Sequence, residues 1–247
     1  MESVYVLRQS LQFFGLSDIG LNRQTNQDFW AAFPEENFFA LADGMGGRSG
    51  GEIAAKEAIA SLGESIRQLS SAKKEQNLPE ELFKAIEQAN LWVYKMGCDI
   101  KPLAGMGTTL ACLLWTSKWI YYAHVGDSRI YRLRQGKLDL LTRDHSLLER
   151  WLSKKKMYGP SPPKNIITRA IGTKGRANPE LASCEAHPGD LFLLCSDGLS
   201  DAVPHSELET ILTLSPTLQI AAHTMIERAK NKGSSDNITA LMITDRK

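Results

Sequence analysis

The run Phe39-Ala40-Leu41-Ala42-Asp43-Gly44-Met45-Gly46-Gly47 decides how the rest of the chain is read. A short apolar stretch ends abruptly in an acid and then in glycines, and an amphipathic segment opens at Glu52. That order predicts a buried strand delivering a carboxylate to a tight turn, with a helix after it. Glycine bends freely and lets another group approach the main chain. An acid at a strand end, beside a bare carbonyl, suits a hard cation that prefers oxygen ligands. Two other readings compete. A dinucleotide loop also sets glycines between strand and helix, but Ser49 stands where its fingerprint needs Gly or Ala, and Asp43 would point negative charge at a pyrophosphate. It is rejected. A turn whose Asp merely bonds local amides is the plainer alternative, and this stretch alone leaves it open.

The totals set bounds. Apolar content of 43% and charged content of 23% are those of an ordinary globular protein with ample material for a core. A chain of 247 residues allows one large domain or two small ones. The net charge of +1 points to neither a nucleic-acid nor a membrane partner, and no apolar run approaches the ~20 residues that span a bilayer. Glu2, with no basic-then-apolar leader after it, predicts no secretion signal. Cys98, Cys112, Cys184 and Cys195 are scattered; Cys112 and Cys195 lie in apolar runs, where buried thiols are expected, and no zinc or disulfide framework emerges. A reduced cytoplasmic protein is expected.

Outward from the central turn, Val4 to Asp18 predicts one or two opening strands. The polar segment Leu21-Asn22-Arg23-Gln24-Thr25-Asn26-Gln27-Asp28 follows. A lone Arg in a solvated loop means little, yet its planar fork suits phosphate. Ala55, Ile59, Leu62, Ile66 and Leu69 recur at helical spacing, and Leu82, Ile86, Ala89 and Val93 repeat the pattern after Pro79-Glu80-Glu81; these are two packing helices. Leu110 to Trp115, Trp119 to Val125, and the hairpin halves Ile130 to Leu133 and Leu138 to Leu141 predict short antiparallel strands in series. Asp144-His145-Ser146 leads into a short helix through Leu147, Leu148, Trp151 and Leu152. Lys154-Lys155-Lys156 before a Pro-rich stretch reads as a solvated loop, or else as a flap that meets an acidic or phosphorylated partner. Leu191 to Ser196 is a strongly apolar strand ending in Asp197-Gly198; helices over 207–214 and 218–229 follow, and Ser235-Asp236-Asn237 precedes a last strand, Ile238 to Ile243.

Four acids, Asp43, Asp127, Asp197 and Asp236, thus share one context: a junction between a loop and an apolar β-like run. One such acid is ordinary; four are hard to assign to turn formation. If the strands lie side by side, their ends can converge on one site. An all-oxygen cluster with no His or Cys ligand motif favours Mg²⁺ or Mn²⁺ over zinc. The acids do not fall in one short loop, which excludes an EF-hand.

These stretches, taken in order, resemble the metal-dependent protein serine/threonine phosphatases of the PPM or type-2C family, especially its bacterial branch. The motifs are Ser17-Asp18-Ile19-Gly20 through Asp28, Ala42-Asp43-Gly44-Met45-Gly46-Gly47, Gly105-Met106-Gly107-Thr108-Thr109, Val125-Gly126-Asp127-Ser128-Arg129, Asp144-His145-Ser146, Ile167-Thr168-Arg169-Ala170-Ile171-Gly172, Ser196-Asp197-Gly198-Leu199 and Ser235-Asp236-Asn237-Ile238-Thr239. The resemblance implies one catalytic domain over 1–247 of α+β class: a β-sandwich of two antiparallel sheets flanked by helix pairs on both sides. It implies that Asp43 bridges two ions while the Gly44 carbonyl holds one of them, that Asp197 and Asp236 hold the other, and that Asp127 joins Asp197 at a third. It further implies that Asp28 contacts a metal-activated water and that Arg23 grips the substrate phosphate. The implied activity is hydrolysis of phosphoserine and phosphothreonine on proteins with two or three Mn²⁺ or Mg²⁺ ions, reversing a bacterial Ser/Thr kinase, by a cytoplasmic monomer. A non-catalytic module on the same fold, or a phosphatase dedicated to one regulatory protein, is the rival. Met45 stands where many eukaryotic members have a His, so the proton donor to the leaving group is left open, with water as a candidate.

Overall fold

The computed structural model describes residues 11–46, 50–71, 77–153 and 160–245. Gly47, the opening residues Val4–Ser10 and the lysine run Lys154–Lys156 lie outside the described residues.

Two antiparallel sheets form the centre. In the first, β1 (Gln12–Asp18), β11 (Ile238–Thr244), β10 (Leu191–Cys195), β7 (Arg129–Arg134) and β8 (Lys137–Leu140) lie side by side in that order. In the second the order is β2 (Asp28–Phe33), β3 (Phe38–Met45), β5 (Leu110–Trp115), β6 (Trp119–Val125) and β9 (Glu180–Glu185), with the two-residue β4 (Gly107–Thr108) pairing the far end of β3. Helices α1 (Gly50–Ser71) and α2 (Leu78–Asp99) cover the second sheet; α5 (His205–Leu214) and α6 (Leu218–Asn231) cover the first. Two shorter helices, α3 (Leu147–Ser153) and α4 (Asp197–Ser200), follow strand ends. The expected sandwich with helix pairs on both sides is the observed architecture.

Four layers have three interfaces, and each is a separate apolar core. Side chains alternate along a strand, so one strand feeds two cores. In β3, Phe38, Ala40 and Ala42 face the α1–α2 layer while Phe39 and Leu41 enter the space between the sheets. In β10, Leu191, Leu193 and Cys195 face α5–α6 while Phe192 and Leu194 point between the sheets. There Trp115 meets Phe192 edge to face, with ring centroids 5.4 Å apart. Burying each such side chain contributes about 1.5–3 kcal/mol, so the apolar pattern fixes which face of each strand is inward. This matters for what lies at the strand ends.

Two readings need adjustment. Asp197 is not in a turn: it opens the one-turn helix α4, and Leu199 N–H and Ser200 N–H both donate to Ser196 O. Strand β9 has no counterpart in the apolar pattern, because Glu180-Leu181-Ala182-Ser183-Cys184-Glu185 is a largely exposed sheet edge. Backbone pairing to β6 carries it.

Candidate functional site

Extending the inward alternation past each apolar run leads to one polar end of the sandwich. On β2, Trp30 and Ala32 face inward, and Asp28 keeps the same parity. On β3, Phe39 and Leu41 lead to Asp43. Thr109 continues Ala111, Leu113 and Trp115; Ser128 precedes inward Ile130; Ser196 continues Phe192 and Leu194; Thr239 precedes inward Leu241 and Ile243. Asp28 and Asp43 are direct cross-strand partners. The central core therefore ends in a layer of acids and hydroxyls.

Hydrogen bonds fix that layer. Asp28 is 7% exposed, and its Oδ2 accepts from Ser196 Oγ at 2.7 Å and Thr239 Oγ1 at 2.6 Å. Asp43 N–H donates to Thr109 Oγ1 at 2.9 Å, Asp43 O accepts from Thr109 N–H at 2.8 Å and Thr108 Oγ1 at 2.9 Å, and the Thr109 and Ser128 hydroxyls bond at 2.7 Å. Gly44 lies within β3 rather than in the expected turn, and its N–H donates to Gln27 O at 3.1 Å, tying the strand to the polar loop before β2. Asn237 binds that loop in turn: its Nδ2 donates to Ile19 O and Thr25 O, its Oδ1 accepts from Gln27 N–H, and its own N–H donates to Asp236 Oδ1. Gly198 must lack a side chain, since a Cβ there would lie 2.0 Å from Asn237 O. The Asp197–Gly198 start of α4 and the Asp236–Asn237 turn are therefore in close contact.

Arg23 reaches the same place. Its Nη2 donates to Asp236 Oδ2 at 2.7 Å, with the two side chains 50% and 32% exposed. All the acids expected from the sequence, together with Arg23 and Gly44, are thus gathered at one end of the sandwich, with Asp127 in the β6–β7 turn. A cleft extends from Asp127 and Asp197 past Asp201 to Lys164 and Asn165.

The electrostatics of this end are strained. Asp28 is pushed up to about 7, first by burial and also by Asp197 and Asp236, although the two hydroxyls oppose the rise. Asp127 is pushed up to about 7 by burial, then by Asp197 and Asp144. Asp197 rises to about 6 by burial and by Asp236 and Asp201. Asp43 is raised well above its ordinary value by burial and by Asp28, Asp197, Asp236 and Asp127; the main influences on it include no cation. Asp28 Oδ1 and Asp197 Oδ1 are buried with no hydrogen-bond partner. A buried charge costs several kcal/mol, a hydrogen bond to one recovers about 1.5–3, and a half-exposed ion pair such as Arg23–Asp236 contributes about 1 or less. The protein's own groups do not balance the cluster. Oxygen donors of this kind, two of them orphaned, fit divalent Mg²⁺ or Mn²⁺.

A second group of ligand-type side chains, His124, His145 and Glu180, brings three donor atoms within 4.8 Å of one another. A cation already sits there: Arg169 Nη1 lies 3.0 Å from Glu180 Oε1 and 3.0 Å from His145 Nε2. This group is a structural hub.

The sequence reading assigned no role to Thr109, Ser128, Ser196, Thr239 or Asn237. The available signal was parity, since each hydroxyl continues the inward alternation of its strand.

The protein phosphatase 2C family model matches residues 21–234. The serine/threonine phosphatase stp of Listeria monocytogenes is 33% identical over 234 residues, covering 92% of this chain and 93% of its own length. The serine/threonine phosphatase of S. agalactiae superposes with a TM-score of 0.86 at 33% identity, over 95% of this chain and 99% of that one. The catalytic domain of the serine/threonine protein phosphatase PstP, solved in complex with two manganese ions, superposes with a TM-score of 0.82 at 33% identity, over 95% of this chain and 97% of that one. The chain belongs to the protein phosphatase 2C family.

Proposed function

We propose that this protein is a metal-dependent phosphatase of phosphoserine and phosphothreonine on proteins, built as one catalytic domain. The observation that carries the reading is the convergence of Asp28, Asp43, Asp127, Asp197 and Asp236 at one end of the sandwich, with Asp28 Oδ1 and Asp197 Oδ1 buried and unpartnered. The PstP relative, solved with two manganese ions, supports Mn²⁺ or Mg²⁺ as the partner of these acids.

Asp43, the Gly44 carbonyl, Asp197 and Asp236 would hold two ions, and Asp127 with Asp197 a third. When bound, such ions lower the pKa of a shared water and steady the oxygens of an in-line displacement. The chain's own groups do the rest. Ser196 and Thr239 fill Asp28 Oδ2, which leaves Oδ1 to accept a hydrogen bond from the attacking water and orient it. Arg23 is half exposed at the rim, and its fork orients the phosphate dianion. No Ser or Cys nucleophile is required.

Among the described residues no helix is long and apolar enough to cross a membrane. The reading is completed by a cytoplasmic monomer acting on proteins phosphorylated by a Ser/Thr kinase; the names of the serine/threonine phosphatase relatives support the substrate class alone.

Hydrolysis of a generic aryl phosphate and of a phosphothreonyl peptide, with added Mn²⁺ and then with chelator, tests the reading. Turnover should require the ion, and Asp197→Asn should nearly abolish it while circular dichroism stays unchanged. Turnover insensitive to chelator would overturn it.

A further inference from the structure

His145 grips both backbone groups of Gly126. Gly126 N–H donates to His145 Nδ1 at 3.2 Å, and His145 N–H donates to Gly126 O at 2.9 Å. The ring is 6% exposed. On the opposite edge of the ring, Nε2 lies 3.0 Å from Arg169 Nη1 and 3.2 Å from Glu180 Oε1. Arg169 completes the arrangement by donating to Glu180. His124 stacks on the other side, its ring centroid 4.4 Å away, and its Nε2 bonds Arg143 O at 2.9 Å. The ring has no freedom to turn.

Gly126 is a demanding residue to hold. Its φ is +102°, and a Cβ would lie 2.7–2.8 Å from the Thr109 side chain, the residue that accepts from Asp43 N–H. Asp127 follows directly. The peptide that aims the Asp127 carboxylate is therefore clamped between Thr109 on one side and His145 on the other.

His145 is also the base of the segment that leaves at Ser146 and returns at Ile167. His145 O accepts from Thr168 N–H at 2.6 Å and Thr168 Oγ1 at 3.1 Å, Ser146 and Ile167 form an isolated bridge, and Leu147 N–H donates to Ile166 O at 2.8 Å. Both limbs of this flap are closed on the residue that bonds the Gly126 peptide, and its return limb carries Lys164 and Asn165 into the cleft beside Asp127.

We propose that His145 is a positioning residue that couples the Asp127 metal position to the paired base of the flap, so that cation binding at Asp127 and the pairing of Ser146 with Ile167 support each other. This rests on the reading of Asp127 as a metal ligand. The chemistry makes the coupling specific to one ring nitrogen. An Asn side chain sets its Oδ1 near the position of Nδ1 and can still accept from Gly126 N–H; Gln reaches toward Nε2 and cannot. Residues that orient a ligand typically account for 10–100-fold in metal affinity.

The test is Mn²⁺ titration by calorimetry on the full chain, with circular dichroism verifying each fold. Asp127→Asn first identifies the binding that depends on Asp127; if it removes none, Asp127 is not a ligand and the proposal falls with that reading. Given that loss, His145→Gln should weaken the same binding about tenfold or more and His145→Asn no more than about threefold, with the Asp127-independent ions unaffected in both. Equal affinity in wild type and His145→Gln, or equal losses in Gln and Asn, would overturn the proposal. A second measurement needs no variant: hydrogen–deuterium exchange over Ile166–Ile171 should slow about threefold or more when Mn²⁺ fills the Asp127-dependent position, and unchanged exchange would overturn it.

Discussion

Arg23 Nη2 and Asp236 Oδ2 lie 2.7 Å apart across 213 positions of sequence, so the proposed phosphate grip and a proposed metal ligand are in direct contact. The pair is too exposed to contribute much to stability, and about 0–1 kcal/mol is the usual range for such pairs. Its interest is chemical. Asp236 holds the guanidinium at the rim of the acid cluster.

Arg23→Ala should therefore act on substrate capture. One charge-assisted hydrogen bond contributes about 1.5–3 kcal/mol, equivalent to about ten- to a hundredfold in kcat/KM. Steady-state kinetics on a phosphopeptide should show that loss mainly as a raised KM, with the melting temperature and Mn²⁺ stoichiometry unchanged. Unaltered kcat/KM would leave Arg23 as a solvated loop residue.

Thr109→Val tests the scaffold. The change conserves shape but removes the acceptor of Asp43 N–H and the partner of Ser128 Oγ. Leaving a buried donor unpaired costs about 1–3 kcal/mol. Urea unfolding of the metal-free protein should show that loss, with the slope unchanged; a shift below about 0.5 kcal/mol would mean that Asp43 is positioned by other means.

These two residues mark what could be read in the chain. The acids at Asp43, Asp127, Asp197 and Asp236 were legible because each interrupts an apolar run, and the ordered motifs carried them to one fold. The strands β3, β5, β6, β10 and β11 were legible for the same reason. Strand β9 was not, because an exposed edge strand needs no apolar pattern, and the backbone pairing that makes it is invisible in composition. The Asp43–Thr109 and Asp28–Thr239 bonds were not legible either. They join residues 66 and 211 positions apart, and a single hydroxyl carries no mark of its partner. The bond from Gly126 N–H to His145 Nδ1 was equally illegible, because a histidine in a motif carries no mark of its partner.

The raised acids give a pH signature in the metal-free protein. Burial, reinforced by neighbouring carboxylates, lifts Asp28 and Asp127 to about 7 and Asp197 to about 6, against about 3.9 for an unfolded chain. Between those values the folded state binds more protons than the unfolded one, so stability falls as pH rises. The contribution is complete below about pH 4 and is lost as the pH passes through 6 to 7. In chelator, thermal scans should show the melting temperature dropping from pH 5 to pH 8, and saturating Mn²⁺ should remove or reverse the slope. A melting temperature that rises with pH in chelator would contradict the picture of mutually repelling buried acids.

Mn²⁺ binding to Asp43→Asn, set beside Asp236→Asn, tests the metal centre most directly. Asp43 is raised by burial and by all four of the other acids and is the proposed bridge between two ions; Asp236 is proposed to hold one. Titration calorimetry on chelator-treated protein should find at least two Mn²⁺ per chain in the wild type, loss of one with Asp236→Asn, and loss of both with Asp43→Asn. Full wild-type stoichiometry and affinity in Asp43→Asn would contradict the account.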